Sequence, residues 1–174
     1  MDSQNAAPNP NHSLESYLAL IESLLNQILR QGEFALSFAI HHLSQEPAEA
    51  ESPEYVVDFM GADTDLLLER NGALLDALEH VVLKAVRLRE EHLRRITFDC
   101  NDWRQQRTEE LRLTAQVAAQ RVLESGDAFA LGPMSPRERR IIHLALRDRP
   151  NLRTASEGVG TERHVVIQPA GPTR

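Results

Sequence analysis

The side chains with the clearest chemical promise are arginines set at helical spacing. Arg139, Arg140 and Arg147 stand with His143 behind the opening Ser135-Pro136-Arg137-Glu138. That opening offers a serine N-cap, a proline in the first turn and a glutamate three residues after the cap, which together start a helix. With Arg139 placed at zero and about 100° per residue, His143 falls near 40°, Arg147 near 80° and Arg140 near 100°. Ile141, Ile142, Ala145 and Leu146 fall between about 200° and 340°. The helix therefore offers an apolar side to a core and a cationic stripe to solvent. Residues 135–155 carry six arginines against Glu138 and Asp148, a local charge of +4. Arg153 and Arg163, in the segment that follows, can join the stripe. A guanidinium stays charged and donates two parallel hydrogen bonds, which suits it to phosphate, while an imidazole can donate to phosphate or stack on a base. The competing reading is a solvated face whose arginines pair with Glu138 and Asp148.

Signals for other chemistry are weak. The seven histidines show no metal-ligand spacing with Asp, Glu or Cys. Neither a phosphate-binding glycine loop nor a dinucleotide fingerprint is present. Cys100 is the single cysteine, which excludes an internal disulfide framework and a multi-cysteine zinc site, and it reads as structural. No catalysis, metal or cofactor is expected.

Charge is distributed unevenly. The 174 residues carry a net charge of −7. Residues 1–66 hold 11 acids and one base, Arg30, whereas residues 67–174 hold 15 acids and 18 bases. A polyanion would therefore meet the later part of the chain. Of 19 basic residues only Lys84 is lysine, a bias expected from genomic base composition, so arginine abundance alone carries little weight. The longest stretch free of Asp, Glu, Lys and Arg is 34–45, too short for a spanning helix of about 20 residues. The start of the chain lacks a basic and apolar leader, so a cytoplasmic protein is expected.

The elements that must position these residues follow from periodicity. Residues 1–12 read as a disordered tail. Apolar residues from Leu14 to Ile28 recur at helical spacing, with Ser13 as cap and Gly32 as stop. Alternation from Phe34 to Ile40 and the run Tyr55–Met60 predict two strands around a charged loop, 43–53. Asp63 is expected to cap a short helix, 64–70. Gly72 separates it from a longer helix reaching about Arg89, and Ile96–Cys100 forms a third strand. A helix opening at Asp102 ends at Gly126. It bears Arg104 and Arg107, which extend the basic surface or pair with Glu110, and Trp103, expected at an interdomain seam. The arginine-bearing helix precedes two short strands, 152–156 and 164–168. The expected fold is α+β in two small domains: 13–101, a linking helix 102–125, 126–168, and a tail 169–174.

Arg139 and His143 form Arg-x-x-x-His within PRERRIIHLAL, followed by the strand-turn-strand LRTASEGVGTERHVVIQP. This resembles the Arg-x-x-x-His domain, a small module for single-stranded nucleic acid, in the version found in the bacterial Jag family. The resemblance implies that Arg139 and His143 are the signature pair. Ser156, Glu157 and Gly158 match the family's Ser-Glu-Gly turn, and Arg163 matches the arginine before its last strand. In that family a KH domain comes first, and α-β-β-α-α-β is the order of a type II KH domain. KH domains clamp phosphates with Gly-x-x-Gly between the two middle helices. Jag relatives place it before Leu-Asp-Ala-Leu, which is here as Leu75-Asp76-Ala77-Leu78. The four loop positions are Glu69, Arg70, Asn71 and Gly72, so only the second glycine is kept. A carboxylate stands where a phosphate should approach, and the loop is expected to be degenerate, with Arg70, Lys84 and Arg87 contributing charge. Many relatives carry a further N-terminal domain, expected to be absent here. The resemblance spans about 14–168.

The resemblance and the charge together imply a non-catalytic binder of single-stranded RNA, or of single-stranded DNA, acting through Arg139, Arg140, His143, Arg147, Arg153 and Arg163. The family further implies post-transcriptional regulation linked to cell envelope and cell shape, and partnership with another KH protein. The alternative is a protein-interaction adaptor built on a degenerate KH domain.

Overall fold

A computed structural model describes residues 13–43 and 53–171. The expected N-terminal tail, most of the charged loop and the last three residues lie outside the described residues. The chain divides into two compact units, 1–103 and 104–174.

The first unit runs α1 (Leu14–Gln31), β1 (Leu36–His42), β2 (Tyr55–Gly61), α2 (Thr64–Ala85) and β3 (Ile96–Cys100). Its sheet has the order β1-β2-β3, with β1 antiparallel and β3 parallel to β2. The parallel pair needs a crossover, which α2 supplies. Tyr17, Ile21 and Leu25 of α1, Leu67, Leu75 and Val82 of α2, and Val57, Phe59 and Phe98 of the strands form one buried core. Residues 69–72 break α2 into two limbs, so the unit has the α-β-β-α-α-β order that the sequence predicts.

Several local expectations are refined. Ser13 is the N-cap residue of α1 as expected, but its side chain makes no capping bond and its hydroxyl instead meets that of Ser16 at 3.2 Å. Gly32 ends α1 as expected, with a right-handed φ of −81°, and the left-handed turn falls to Glu33. Asp63 is the N-cap residue of α2 as expected, but its carboxylate makes no capping bond and instead accepts the Ala35 N–H at 2.7 Å, tying the segment before β1 to the start of α2. The second limb of α2 stops at Ala85, short of Arg89.

The second unit contains α3 (Trp103–Ser125) from Arg104 onward, β4 (Phe129–Ala130), α4 (Pro136–Ala145), β5 (Leu152–Glu157) and β6 (His164–Pro169). The sheet order is β4-β6-β5, antiparallel throughout. Leu111, Ala115, Ala118, Ala119 and Val122 of α3 pack with Ile142 and Leu146 against Val165 and Ile167. The expected linking helix is thus a structural part of this unit, because small residues on one face let it approach the sheet. Trp103 at its start packs with the first unit's core. The two-residue β4 has no counterpart among the expected strands; it is too short to show alternation.

Candidate nucleic-acid interface

Helix α4 is fixed before its arginines are displayed. The Ser135 hydroxyl accepts the Glu138 N–H, and the Glu138 carboxylate accepts the Ser135 N–H at 2.8 Å, a complete capping box. The same carboxylate, nearly buried, also accepts Arg107 Nε at 2.7 Å. Arg107 donates to Glu110 as well, at 2.8 Å, so it anchors α4 to α3 rather than enlarging the cationic surface. In the sequence, its partner Glu138 reads only as a cap and a neutraliser of nearby arginines. Cap and buried ion pair together restrict α4 to one seating on the sheet.

On the side away from Ile142, His143 uses both ring nitrogens. Nδ1 lies 2.7 Å from the Thr154 hydroxyl and Nε2 lies 2.9 Å from the Ser156 hydroxyl. Burial, and next the charge of Arg139, hold the imidazole below its ordinary pKa. A neutral ring has one N–H and one lone pair, and each hydroxyl can take the complementary role. His143 therefore ties α4 to β5 through both ring nitrogens. Sequence reasoning misses Thr154. The signal that could have found it is the alternation Leu152, Thr154, Ser156, which puts both hydroxyls on the core-side face of β5.

Arg139, one turn before His143, is half-buried. Its Nε is fully buried and has no hydrogen-bond partner. A buried donor left unsatisfied is costly, and the half-exposed guanidinium it belongs to keeps its charge on this face. Arg140 lies exposed on the same helix, whereas Arg147, expected on it too, lies exposed in the turn after α4 ends at Ala145, at 3.5 Å from Asp148.

Arg153 is separated from this group. It pairs with Gln168 across the ladder, on the opposite face of β5 from Thr154 and Ser156. The structure thus gathers Arg139, His143, Thr154 and Ser156, and leaves Arg153 on the outer face. Gly158, at φ +81°, turns the chain between β5 and β6, where an added Cβ would lie 2.7 Å from the Glu162 carbonyl oxygen. Arg163 leads into β6, and its carbonyl accepts the Met134 N–H at 3.1 Å, bracing the approach to α4. Gly158 and Arg163 shape the frame of the site through their backbones; the Arg163 side chain is exposed.

The loop of the first unit has a different character. Arg70, Asn71 and Gly72 take left-handed φ values of 53°, 60° and 73°, whereas Glu69 has φ −54° and ψ 148°, open to any residue. The kept glycine is explained by packing, since a Cβ on Gly72 would lie 2.6 Å from Trp103 Nε1. Trp103, read from sequence as a seam residue, lies beneath this loop. Nearby in the fold, Asp58 and Asp99 are direct neighbours across β2 and β3. Burial, and next Asp99, raise the Asp58 pKa. The Cys100 thiol is buried and pushed up to about 11, first by burial, so it stays protonated and inert as a nucleophile at neutral pH.

Comparison with known proteins places these features. The family of the Arg-x-x-x-His domain, the R-three-H domain, matches residues 109–169. The chain is 33% identical over 141 residues to RNA-binding protein KhpB of Clostridium symbiosum, covering 81% of this chain and 63% of that protein. It is 34% identical over 109 residues to RNA-binding protein KhpB of Bacillus subtilis, covering 62% of this chain and 52% of the relative. The protein of the same name from Streptococcus pneumoniae is 34% identical over 97 residues, which are 56% of this chain and 30% of that one. The chain thus spans less than two thirds of the length of these relatives. The domain match starts inside α3, in keeping with the packing of that helix into the second unit. With a KH-ordered first unit and an R-three-H domain match behind it, the chain is similar in its order of parts to what the resemblance to the Jag family implies.

Proposed function

We propose that the chain binds single-stranded RNA without catalysing a reaction, and that the second unit carries the binding. The observation that carries this reading is the arginine cluster formed by the half-buried Arg139 and exposed Arg140 of α4 and by the exposed Arg147 just past its end. Phosphate is the ligand that suits it, because guanidinium and phosphate meet through paired, charge-assisted hydrogen bonds. His143 supports the reading indirectly, by locking the Thr154 and Ser156 hydroxyls beside the arginines. Recognition through backbone phosphates is weakly sequence-specific and extends to single-stranded DNA. Relatives named as RNA-binding proteins favour RNA. The proposed setting is cytoplasmic post-transcriptional regulation bearing on cell envelope and cell shape, with another KH protein as partner.

Fluorescence anisotropy with labelled single-stranded RNA tests the reading. Arg139→Glu is expected to weaken binding at least about tenfold, a change of about 1.4 kcal/mol, while the fold persists. Undiminished binding by a folded Arg139→Glu chain would refute it.

A second reading applies to the first unit alone. Glu69 in the loop and the paired Asp58 and Asp99 make its surface unwelcoming to phosphate, which favours a protein partner there and supports an adaptor role beside RNA binding.

A further inference from the structure

Helix α3 buries one face in the second unit's core and leaves another uncovered. Val117 is 72% and Leu113 is 55% exposed, high values for apolar side chains on a helix. They form one wall of a groove of about 430 Å³ whose far wall is Phe129 and Leu131 and whose floor is Ala118. Glu110 stands at one end of the groove and Arg121 at the other.

The spacing of these residues selects an occupant. Glu110, Leu113, Thr114, Val117, Ala118 and Arg121 share one helical face. They are also symmetric about the point midway between Ala115 and Gln116. A twofold axis through that point, perpendicular to the helix, lays a second α3 antiparallel on the first. Leu113 of one copy then meets Ala118 of the other, large against small, and Thr114 meets Val117. Glu110 meets Arg121 at both ends, so every charge finds its opposite. Such self-complementarity is what a twofold interface requires. The existing contacts leave room for it: Glu110, although paired with Arg107, keeps a side chain that is 61% exposed, and Arg121 lies with its guanidinium 4.7 Å above the Phe129 ring.

We propose that this groove is a homodimer interface in which a second copy of the chain packs its α3 antiparallel against the first. The stripe is about 16 Å long, shorter than a standard interface needs, so the dimer is weak, with a dissociation constant of about 10–100 µM. Its consequence is a pair of RNA sites in one particle, formed only where the chain is concentrated.

Sedimentation equilibrium of the RNA-free chain, run as a concentration series, tests the proposal. A reversible monomer–dimer equilibrium is expected. Val117→Glu and Leu113→Ser, both on exposed positions, should each weaken it at least about tenfold with an unchanged melting profile. Glu110→Arg alone and Arg121→Glu alone should each weaken it, and the two together should restore it, because reversal then occurs at both ends of a twofold pair. A chain that stays monomeric throughout the series overturns the proposal. So does a dimer indifferent to Val117→Glu and Leu113→Ser, or a double reversal weaker than either single change.

Discussion

The two units display a phosphate-type site in opposite ways. In the first, the loop Glu69-Arg70-Asn71-Gly72 keeps an unusual backbone, with three successive left-handed residues, yet presents a carboxylate at its entrance. In the second, no backbone strain is stored at Arg139 or His143; side chains make the site, and their geometry is set by bonds to neighbouring elements. A loop that binds through its N–H groups depends on what can approach the backbone, and a carboxylate there repels phosphate. A site that binds through guanidinium groups depends on how they are held, and here the holding parts are Glu138, Arg107 and His143. Under the proposed function, the KH-ordered unit serves structure and the RNA contacts lie in the second unit.

The strongest way to break this contrast is to release α4. Glu138→Ala removes both the capping carboxylate and the acceptor that ties Arg107 to α4. A loss of about 3 kcal/mol from the second unit is expected, read by chemical denaturation. RNA binding should fall with it, while the first unit keeps its own transition. Gly72→Ala is the matching change in the first unit. It forces a Cβ into Trp103 at a left-handed φ, for an expected loss of about 2 kcal/mol. At temperatures where both units stay folded, RNA affinity should be unaltered, since the loop is not the contact.

A subtler effect concerns pH. His143 has a folded pKa below its unfolded value of about 6.5. Between those two values the unfolded chain binds the extra proton, so stability is full above about pH 6.5 and declines as pH falls through the folded pKa. His143→Gln should flatten this decline in melting temperature between about pH 7.5 and pH 5. The same slope in both proteins would show that the ring is not held neutral between Thr154 and Ser156. These bonds are not legible in the sequence near His143, because the two hydroxyls that engage the ring lie in a different element.

The smallest expected effect is at the loop. Glu69→Gln should tighten RNA binding by only about two- to threefold, through removal of one exposed charge. Glu69→Gly should do no better, because φ at this position is ordinary and glycine relieves no strain there. A large gain with glycine would mean that the loop becomes a working clamp.

Most elements are legible in the sequence because their signals are local. The capping box of α4, the period of α1 and the apolar run Ile96–Cys100 each lie within a few residues. What is not legible depends on partners distant in sequence. The Asp63 carboxylate forgoes a capping bond to accept the Ala35 N–H, 28 residues away. The pairing of Arg107 with Glu110 is legible at i,i+3, but its bond to Glu138, 31 residues on, is not. Arg153 reads as a neighbour of Arg139 until strand alternation puts it on the far face. Gly72 reads as a remnant of a binding loop, and the contact with Trp103 gives it a packing reason.

The central claim is that RNA is held by the arginines of α4 and not by the loop of the first unit. Its most direct test is the salt dependence of single-stranded RNA binding by the wild-type chain, Arg139→Gln and Arg70→Ala. Each phosphate contact contributes about 0.7 to the slope of log affinity against log salt for a single strand. Arg139→Gln should lower affinity about tenfold and reduce the slope by about 0.7, while Arg70→Ala leaves both nearly unchanged. The reverse pattern, with Arg70→Ala abolishing binding and Arg139→Gln leaving the slope intact, would contradict the account.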